Sequence, residues 1–495
     1  MLLPPSIDEL IDTNHPVRTI SQIIEGLDID PLLKKYKGGG TSSYHPRMLL
    51  KVVVYAYISN IYSSRKMEEA CRSNIHFMWL AAMQYPDHNT LNRFRSTRLQ
   101  DVLRTVFKQV VLLLADEGLL SLKEIYTDGT KIESAANRYT FVWAKSIQTN
   151  KAKIAKQLDE LWQYGQKVAA EELDVPEPPD FSGIDAEKVK ATVERIDAAL
   201  QDKPDVSKKI KAKLRYAKKN WPAALKKYAQ QEQTLAGRNS YSKTDPDATF
   251  MRMKEDHMEN GQLKPGYNVQ VSSSNQYVVD YTVHPNPTDT TTLIPHLEQI
   301  KSDYGTLPEE LTADAGYGSE QNYKHLEQCG IAAYVKYGSF DRDQNEAIRA
   351  KQSFSQDKLY YNEEQDYFIC PMGQRMENAG TITQKTSTGF EQTITRYRNR
   401  SCEGCPLRGV CHKARGTRTL EVNRNLLRHR QRAHELLVSE RGIYHRKKRP
   451  IDTEPVFGNI KSNHGFRRFL LRGTKKVEVE VGLLSLAQNL RKKAA

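Results

Sequence analysis

Apolar positions recur with helical spacing early in the chain. Leu49, Leu50, Val53, Val54, Tyr57, Ile58 and Ile61 fall on one side of a 3.6-residue turn, and Pro46 suits the first turn of that helix. Pro86 then marks a turn. After it, an Asp or Asn cap opens a short helix carrying Arg93, Arg95 and Arg98. Residues 1–118 read as a helical domain with a basic last helix. That outline suits a helix-turn-helix DNA reader and equally a plain bundle with solvated arginines.

The pattern changes over 121–133, where β-branched and aromatic residues cluster around Asp128 and predict a strand. Residues 140–240 return to helix, in Lys/Glu/Ala/Leu stretches split by the breaker-rich segment 175–183. This reads as a helical insertion in a sheet. Residues 267–272 and 277–283 predict a hairpin turning through Ser273 to Gln276. Asp289 is expected to cap a helix with an apolar face of Leu293, Ile294, Leu297 and Ile300. A strand, Leu311 to Asp314, follows. Ser319 then caps a helix that Gly330 closes, and a last strand runs from Ile331 to Val335. Strand, insertion, hairpin, helix, strand, helix, strand is the order of a mixed α/β sheet over residues 119–495. Ligand sites in such sheets favour the carboxyl ends of strands. Residues 341–440 form a second, Cys-rich insertion. Beyond it, Thr453 is expected to N-cap a helix with Glu454 at its start and Pro455 in its first turn; Lys461, seven residues on, shares a face with Glu454. Leu483, Leu484, Leu486, Ala487 and Leu490 predict a final core helix.

At 495 residues the chain is too long for one core, so two or three domains are expected. The run 49–62 is interrupted by Lys51, Ser59 and Asn60 and is too short to span a bilayer. No basic segment followed by an apolar core opens the chain, so a cytoplasmic protein is expected. The formal charge is +14, and residues 413–493 alone hold 21 Lys and Arg against 7 Asp and Glu. The whole excess therefore sits in one stretch, which points to an acidic polymer such as nucleic acid.

Three acids stand where a fold could gather them: Asp128 and Asp314 on strands and Glu454 at a helix start. Oxygen-only donors suit Mg²⁺, and two ions about 3.5–4 Å apart can activate a water and stabilise a leaving oxygen. Asp245 and Asp247 are a rival pair, but their Thr-Asp-Pro-Asp setting favours turn and capping duty. Of the six cysteines, Cys71 and Cys329 read as buried small hydrophobes. Cys370, Cys402, Cys405 and Cys411 cluster in one insertion and read as ligands of structural Zn²⁺, with His412 an alternative to Cys411.

Tyr126-Thr127-Asp128-Gly129-Thr130-Lys131-Ile132-Glu133 resembles the first acidic motif of bacterial insertion-sequence transposases of the DDE type. Leu311-Thr312-Ala313-Asp314-Ala315-Gly316-Tyr317 resembles their second motif. Glu454-Pro455-Val456-Phe457-Gly458-Asn459-Ile460-Lys461, followed by Gly465 to Phe469 and Arg472-Gly473, resembles their third. The segment Tyr44 to Leu99 is similar to the helical N-terminal domain of that group, and 242–248 and 264–268 also match. The resemblance implies an RNase H-like core with a catalytic triad of Asp128, Asp314 and Glu454 holding two Mg²⁺ or Mn²⁺ ions. It implies DNA contacts from Lys461, Arg467, Arg468 and Arg472, and from Arg93 and Arg95 in the N-terminal domain. The implied substrates are the element's terminal inverted repeats and target DNA, cut and joined by a homodimer at the nucleoid. Alternatives are a nuclease without strand transfer and a catalytically silent DNA-binding derivative. Where many relatives carry Tyr and Arg before the Glu, this chain has Lys447 and Pro450; Tyr444 and Arg449 are nearby but off register.

Overall fold

The computed structural model describes residues 6–36, 43–171, 173, 180–201, 203–204, 206–253, 261–351 and 354–495. The chain divides into two compact units. The first comprises Met1–Ile132, Asn268–Leu471 and Lys475–Ala495, and the second Glu133–Tyr267 with Arg472–Thr474. Among the described residues eight strands precede the Cys-rich insertion: β1 (Glu124–Glu133), β2 (Phe141–Trp143), β3 (Ser240–Ser242), β4 (Thr249–Arg252), β5 (Leu263–Ser274), β6 (Tyr277–His284), β7 (Glu310–Ala313) and β8 (Ala332–Val335).

In the first unit the sheet order is β6, β5, β1, β7, β8. β5 and β6 form an antiparallel hairpin, whereas β7 runs parallel to both β1 and β8. The hairpin is tighter than its sequence suggested. Ser273 and Ser274 stay paired, and only Asn275 and Gln276 turn, both with positive φ of 51° and 63°. A two-residue turn of that kind matches the twist of the strands it joins. The result is a mixed α/β fold, consistent with an RNase H-like core plus helical regions.

The N-terminal helices belong to the same unit. His15 and His45 each precede a Pro at the helix start, and each ring accepts from the backbone N–H two residues on. The Pro46–Ile58 helix is buried nearly all round, from Met48 to Tyr57. One contact covering it is the last helix, Thr474–Lys493: Glu480, itself fully buried, accepts from the Tyr57 hydroxyl at 3.3 Å and from the Leu471 N–H at 2.8 Å. Asn489 of that helix pairs with the backbone of Val278 through both its amide groups, at 2.7 and 2.8 Å. The Cys-rich insertion carries a five-stranded antiparallel sheet around Phe368, Met376, Tyr397, Leu420 and Val422.

The second unit is built on three helices, Ala144–Val168, Ala186–Leu200 and Lys208–Leu235. They bury a core of Leu158, Leu161, Trp162, Val189, Val193, Ile196, Leu214 and Trp221. Part of the expected breaker segment, residues 175–179, lies outside the described residues. Asp245 is buried in this unit and accepts from Ser134, Tyr267 and the Gly473 N–H. Asp247 accepts from the Thr474 N–H at 2.8 Å. Asp245 thus joins a buried cluster of hydroxyl and N–H donors, and Asp247 meets the residue that opens the last helix.

Candidate active site

Parallel pairing sets the first two acids side by side. Thr127 of β1 is in register with Ala313 of β7, so the next residues, Asp128 and Asp314, emerge next to each other. Asp314 stands immediately beyond the carboxyl end of β7, where it also N-caps a short turn by accepting from the Gly316 N–H at 2.8 Å. Asp128 is nine-tenths buried.

A single guanidinium joins them. Arg449 Nη2 lies 3.1 Å from Asp128 Oδ2 and 3.8 Å from Asp314 Oδ2. Arg449 rides on the Glu440–Gly458 helix, and the face that carries it is fastened to the sheet. Arg441 pairs with Glu124 at 2.7 Å, His445 shares a hydrogen bond with Tyr126 at 2.9 Å, and Lys448 pairs with Glu124 at 3.1 Å. Asp452 accepts from the Ser273 hydroxyl at 2.6 Å and from the Gln276 N–H at 3.1 Å. Residues 441, 445, 448 and 452 step by four, three and four, and Arg449 lies four from His445 and three from Asp452, which puts them on one face.

This helix corrects an expectation. Glu454 does not start it; it lies near its end, and Thr453 is no N-cap. The Thr453 hydroxyl instead donates back to the Arg449 carbonyl at 3.1 Å. Pro450 and Pro455 sit inside the helix. A proline removes the donor that would meet the carbonyl four residues earlier. For Pro455 that carbonyl is Ile451's, and the Gln276 side-chain amide donates to it at 3.1 Å. Two residues past Asp452, Glu454 points off the sheet-facing side. Its side chain is exposed, and no hydrogen bond or ion pair holds it among the described residues.

Asp289 brings a carboxylate that the sequence did not flag for the site. The expected helix cap is not its role, which is a second correction: the helix begins at Leu293, and the Asp289 side chain turns inward. Its Oδ1 accepts from Asn268 at 2.7 Å and from Gln270 at 3.0 Å. A Cβ added at Gly129 would stand 2.6 Å from that oxygen, and one at Gly316 would stand 2.9 Å from Asp314 Oδ1 and 3.5 Å from Asp289 Oδ2. Each glycine behind a site aspartate is thus bare because carboxylates fill the space. Burial, then the charges of Asp289, Asp128 and Asp314, hold the Tyr317 phenol well above its ordinary pKa. It stays protonated and donates to Gln270.

Two family models match the chain. One, described as Transposase DDE domain, covers residues 369–494; the other, described as Transposase domain (DUF772), covers residues 5–97. Together they support an insertion-sequence DDE transposase. No curated protein matches, and no solved structure matches. Such a family acts on DNA and generally uses divalent metal ions.

The carboxylate oxygens of Asp128 and Asp314 already share one cationic group. Mg²⁺ is usually held by one or two carboxylates plus phosphate oxygens and water, so this donor set fits it. No group of three or more His, Cys, Asp or Glu converges tightly enough to hold an ion among the described residues. That holds for the cysteines as well. The Cys402 sulfur accepts from the Arg418 N–H at 3.4 Å, and the Cys411 sulfur from the Arg418 guanidinium at 2.9 Å. Both ring nitrogens of the neighbouring His412 are buried without a hydrogen-bond partner among the described residues. Cys71 is buried and Cys329 partly so.

The basic residues of the chain separate by burial. Arg467 and Arg468 are exposed, as is Arg93. Arg472, in the second unit, is exposed and donates to the Ala135 carbonyl at 2.9 Å. Arg95 is not a surface contact. It is 3% exposed and donates to the Tyr57 hydroxyl and the Tyr62 carbonyl. Lys461 is 8% exposed, within a π-helical turn at Asn459–Asn463, so a surface grip on DNA is not its position here. Among the described residues no helix is long and apolar enough to cross a membrane.

Proposed function

We propose that this transposase binds the terminal inverted repeats of an insertion sequence and carries out metal-dependent strand cleavage and strand transfer at Asp128, Asp314 and Glu454. One observation carries the reading: the two aspartates stand together at neighbouring parallel strands and share one positive group. Bound between them, Mg²⁺ or Mn²⁺ (two ions in the full site) would supply a Lewis acid and an activated water or hydroxyl for attack on a phosphodiester.

The chain's own contribution is positioning. Asp128 is held on the central strand, and Asp314 is aimed by its own turn. Glu454 lies five residues beyond Arg449 on the same anchored helix and is the proposed third acid. Arg467, Arg468, Arg472 and Arg93 are the proposed phosphate contacts, with residues 1–118 recognising the ends. Two ends must be held together for transfer, so a homodimer is the proposed working form. The insertion 341–440 is proposed to hold Zn²⁺ through Cys370, Cys402, Cys405 and Cys411. The ring nitrogens of His412, buried and without a hydrogen-bond partner among the described residues, support it as the alternative to Cys411.

A strand-transfer assay on terminal-repeat DNA with Mg²⁺ tests the reading. Joined product from the wild type and none from Asp128→Asn or Glu454→Gln is expected. Cleavage without joining would favour a nuclease, and binding without cleavage a silent DNA-binding protein. Activity in either variant would remove that acid from the triad.

A further inference from the structure

Arg449 occupies the position between Asp128 and Asp314 that a divalent cation would need. Its side chain is four-fifths buried, with Asp128 flanking one Nη at 3.1 Å and Asp314 at 3.8 Å. Two ionised carboxylates this close repel each other, and a positive group between them removes that cost. The contact is not a casual surface pair, because the helix presenting Arg449 is fixed by the buried Asp452 on one side and by His445 on the other. The guanidinium also lacks full satisfaction. Its Nε is buried and has no hydrogen-bond partner among the described residues. A buried unpaired donor is expensive, so this arrangement holds Arg449 less firmly than a fully bonded one would.

We propose that Arg449 is a built-in counter-cation of the aspartate pair, displaced when a divalent metal binds, so that it sets the metal concentration at which the site loads. This rests on the transposase reading of the same site. Guanidinium and metal compete for the same oxygens, so the pair cannot bind both at full strength. Displacement also frees a cationic side chain on the helix that bears Arg446, Lys447 and Lys448, toward an anionic substrate.

Mn²⁺ binding to the full-length chain, read from the loss of free-ion electron paramagnetic resonance signal, tests this without any assay of activity. For Arg449→Gln the midpoint should fall about tenfold, since a directly competing charge is gone. Arg449→Lys keeps a competing charge but replaces the weakly hydrated guanidinium with a strongly hydrated ammonium on a flexible stem, so its midpoint should fall by a smaller factor. This conservative variant keeps the test open if the glutamine chain does not fold. Asp128→Asn should abolish the binding. A midpoint equal to or weaker than wild type in either Arg449 variant, with binding still dependent on Asp128, would overturn this inference alone. No binding by the wild type would overturn it together with the catalytic reading.

Discussion

The Ser273 hydroxyl donates to the Asp452 carboxylate at 2.6 Å, joining the β5–β6 hairpin to the helix that carries Arg449 and Glu454. The same carboxylate accepts from the Gln276 N–H and is 2% exposed. This pair fixes how far the helix lies along the sheet, and so what reaches Asp128.

Asp452→Ala should therefore destabilise the chain by ~2–4 kcal/mol, since a buried and a part-buried donor lose a charged acceptor. Asp452→Asn keeps one acceptor oxygen and should cost roughly half as much. Urea unfolding monitored by fluorescence measures both. Equal, small losses would mean that the helix is held mainly by its contacts to Glu124.

Gly129 tests the packing of Asp289 against the site. A methyl there would stand 2.5 Å from Gln270 Nε2 and 2.6 Å from Asp289 Oδ1, and both atoms are tied by hydrogen bonds. Gly129→Ala should cost about 1–3 kcal/mol through overpacking. On an Asp289→Ala background the same change should cost at least ~0.5 kcal/mol less, because one of the two obstacles is gone and the Gln270 amide loses the acceptor that ties it. A double-mutant cycle in denaturant gives the coupling directly, and strict additivity would show that the two residues do not meet.

A chain of buried polar groups predicts the acid response. Thr127 of β1 shares a hydrogen bond with Ser272 of β5, Ser272 with His296, His296 with Thr282 of β6, and Thr282 with His284. Burial pushes His296 down to about 3 and His284 down to about 4. Both folded-state values lie below the unfolded value of 6.5, so the fold prefers the neutral rings. Their contribution is complete above about pH 6.5 and is lost as the pH falls from there toward 4 and 3. The loss should reach about 2 kcal/mol per ring by pH 5. His296→Gln should be less stable than wild type at pH 8 yet show a flatter decline between pH 6.5 and 5. An unchanged slope would exclude His296 as the titrating group.

Much of this fold can be read from the residues. The strand bearing Asp128, the strand that ends just before Asp314, the hairpin at Asn275 and the caps at Asp87 and Ser319 follow from local pattern. The helix holding Glu454 does not, because Thr-Glu-Pro has the composition of a helix start. What overrides it is tertiary: Ser273, Gln276 and Tyr126 fix a helix that runs through both prolines. Asp289 was misread for a similar reason, since Pro-Thr-Asp before an apolar helix is cap-like. Its partners Asn268 and Gln270 are about twenty residues away on β5, beyond any local pattern. Arg449 carried one usable signal, its four- and three-residue spacing to His445 and Asp452.

Charge content alone treats Arg95, Lys461, Arg467 and Arg468 alike, and burial separates them. Arg467 and Arg468 are exposed, so their double alanine variant should weaken DNA binding and lower the slope of log affinity against log salt by about 2. Lys208 and Lys209, exposed at the start of a helix in the second unit, serve as the matched control and should change the slope less. Arg95 should behave differently from either pair. It donates to Tyr57, whose hydroxyl donates to buried Glu480, so Arg95→Leu strands a carboxylate that burial already pushes toward its neutral form. The expected cost is ~3–5 kcal/mol of stability, with the salt slope of the folded fraction unchanged. Fluorescence anisotropy titrations on terminal-repeat DNA at several salt concentrations, beside thermal melts, separate the two classes. If Arg95→Leu lowers the salt slope without lowering the melting temperature, Arg95 faces DNA and the buried placement is wrong.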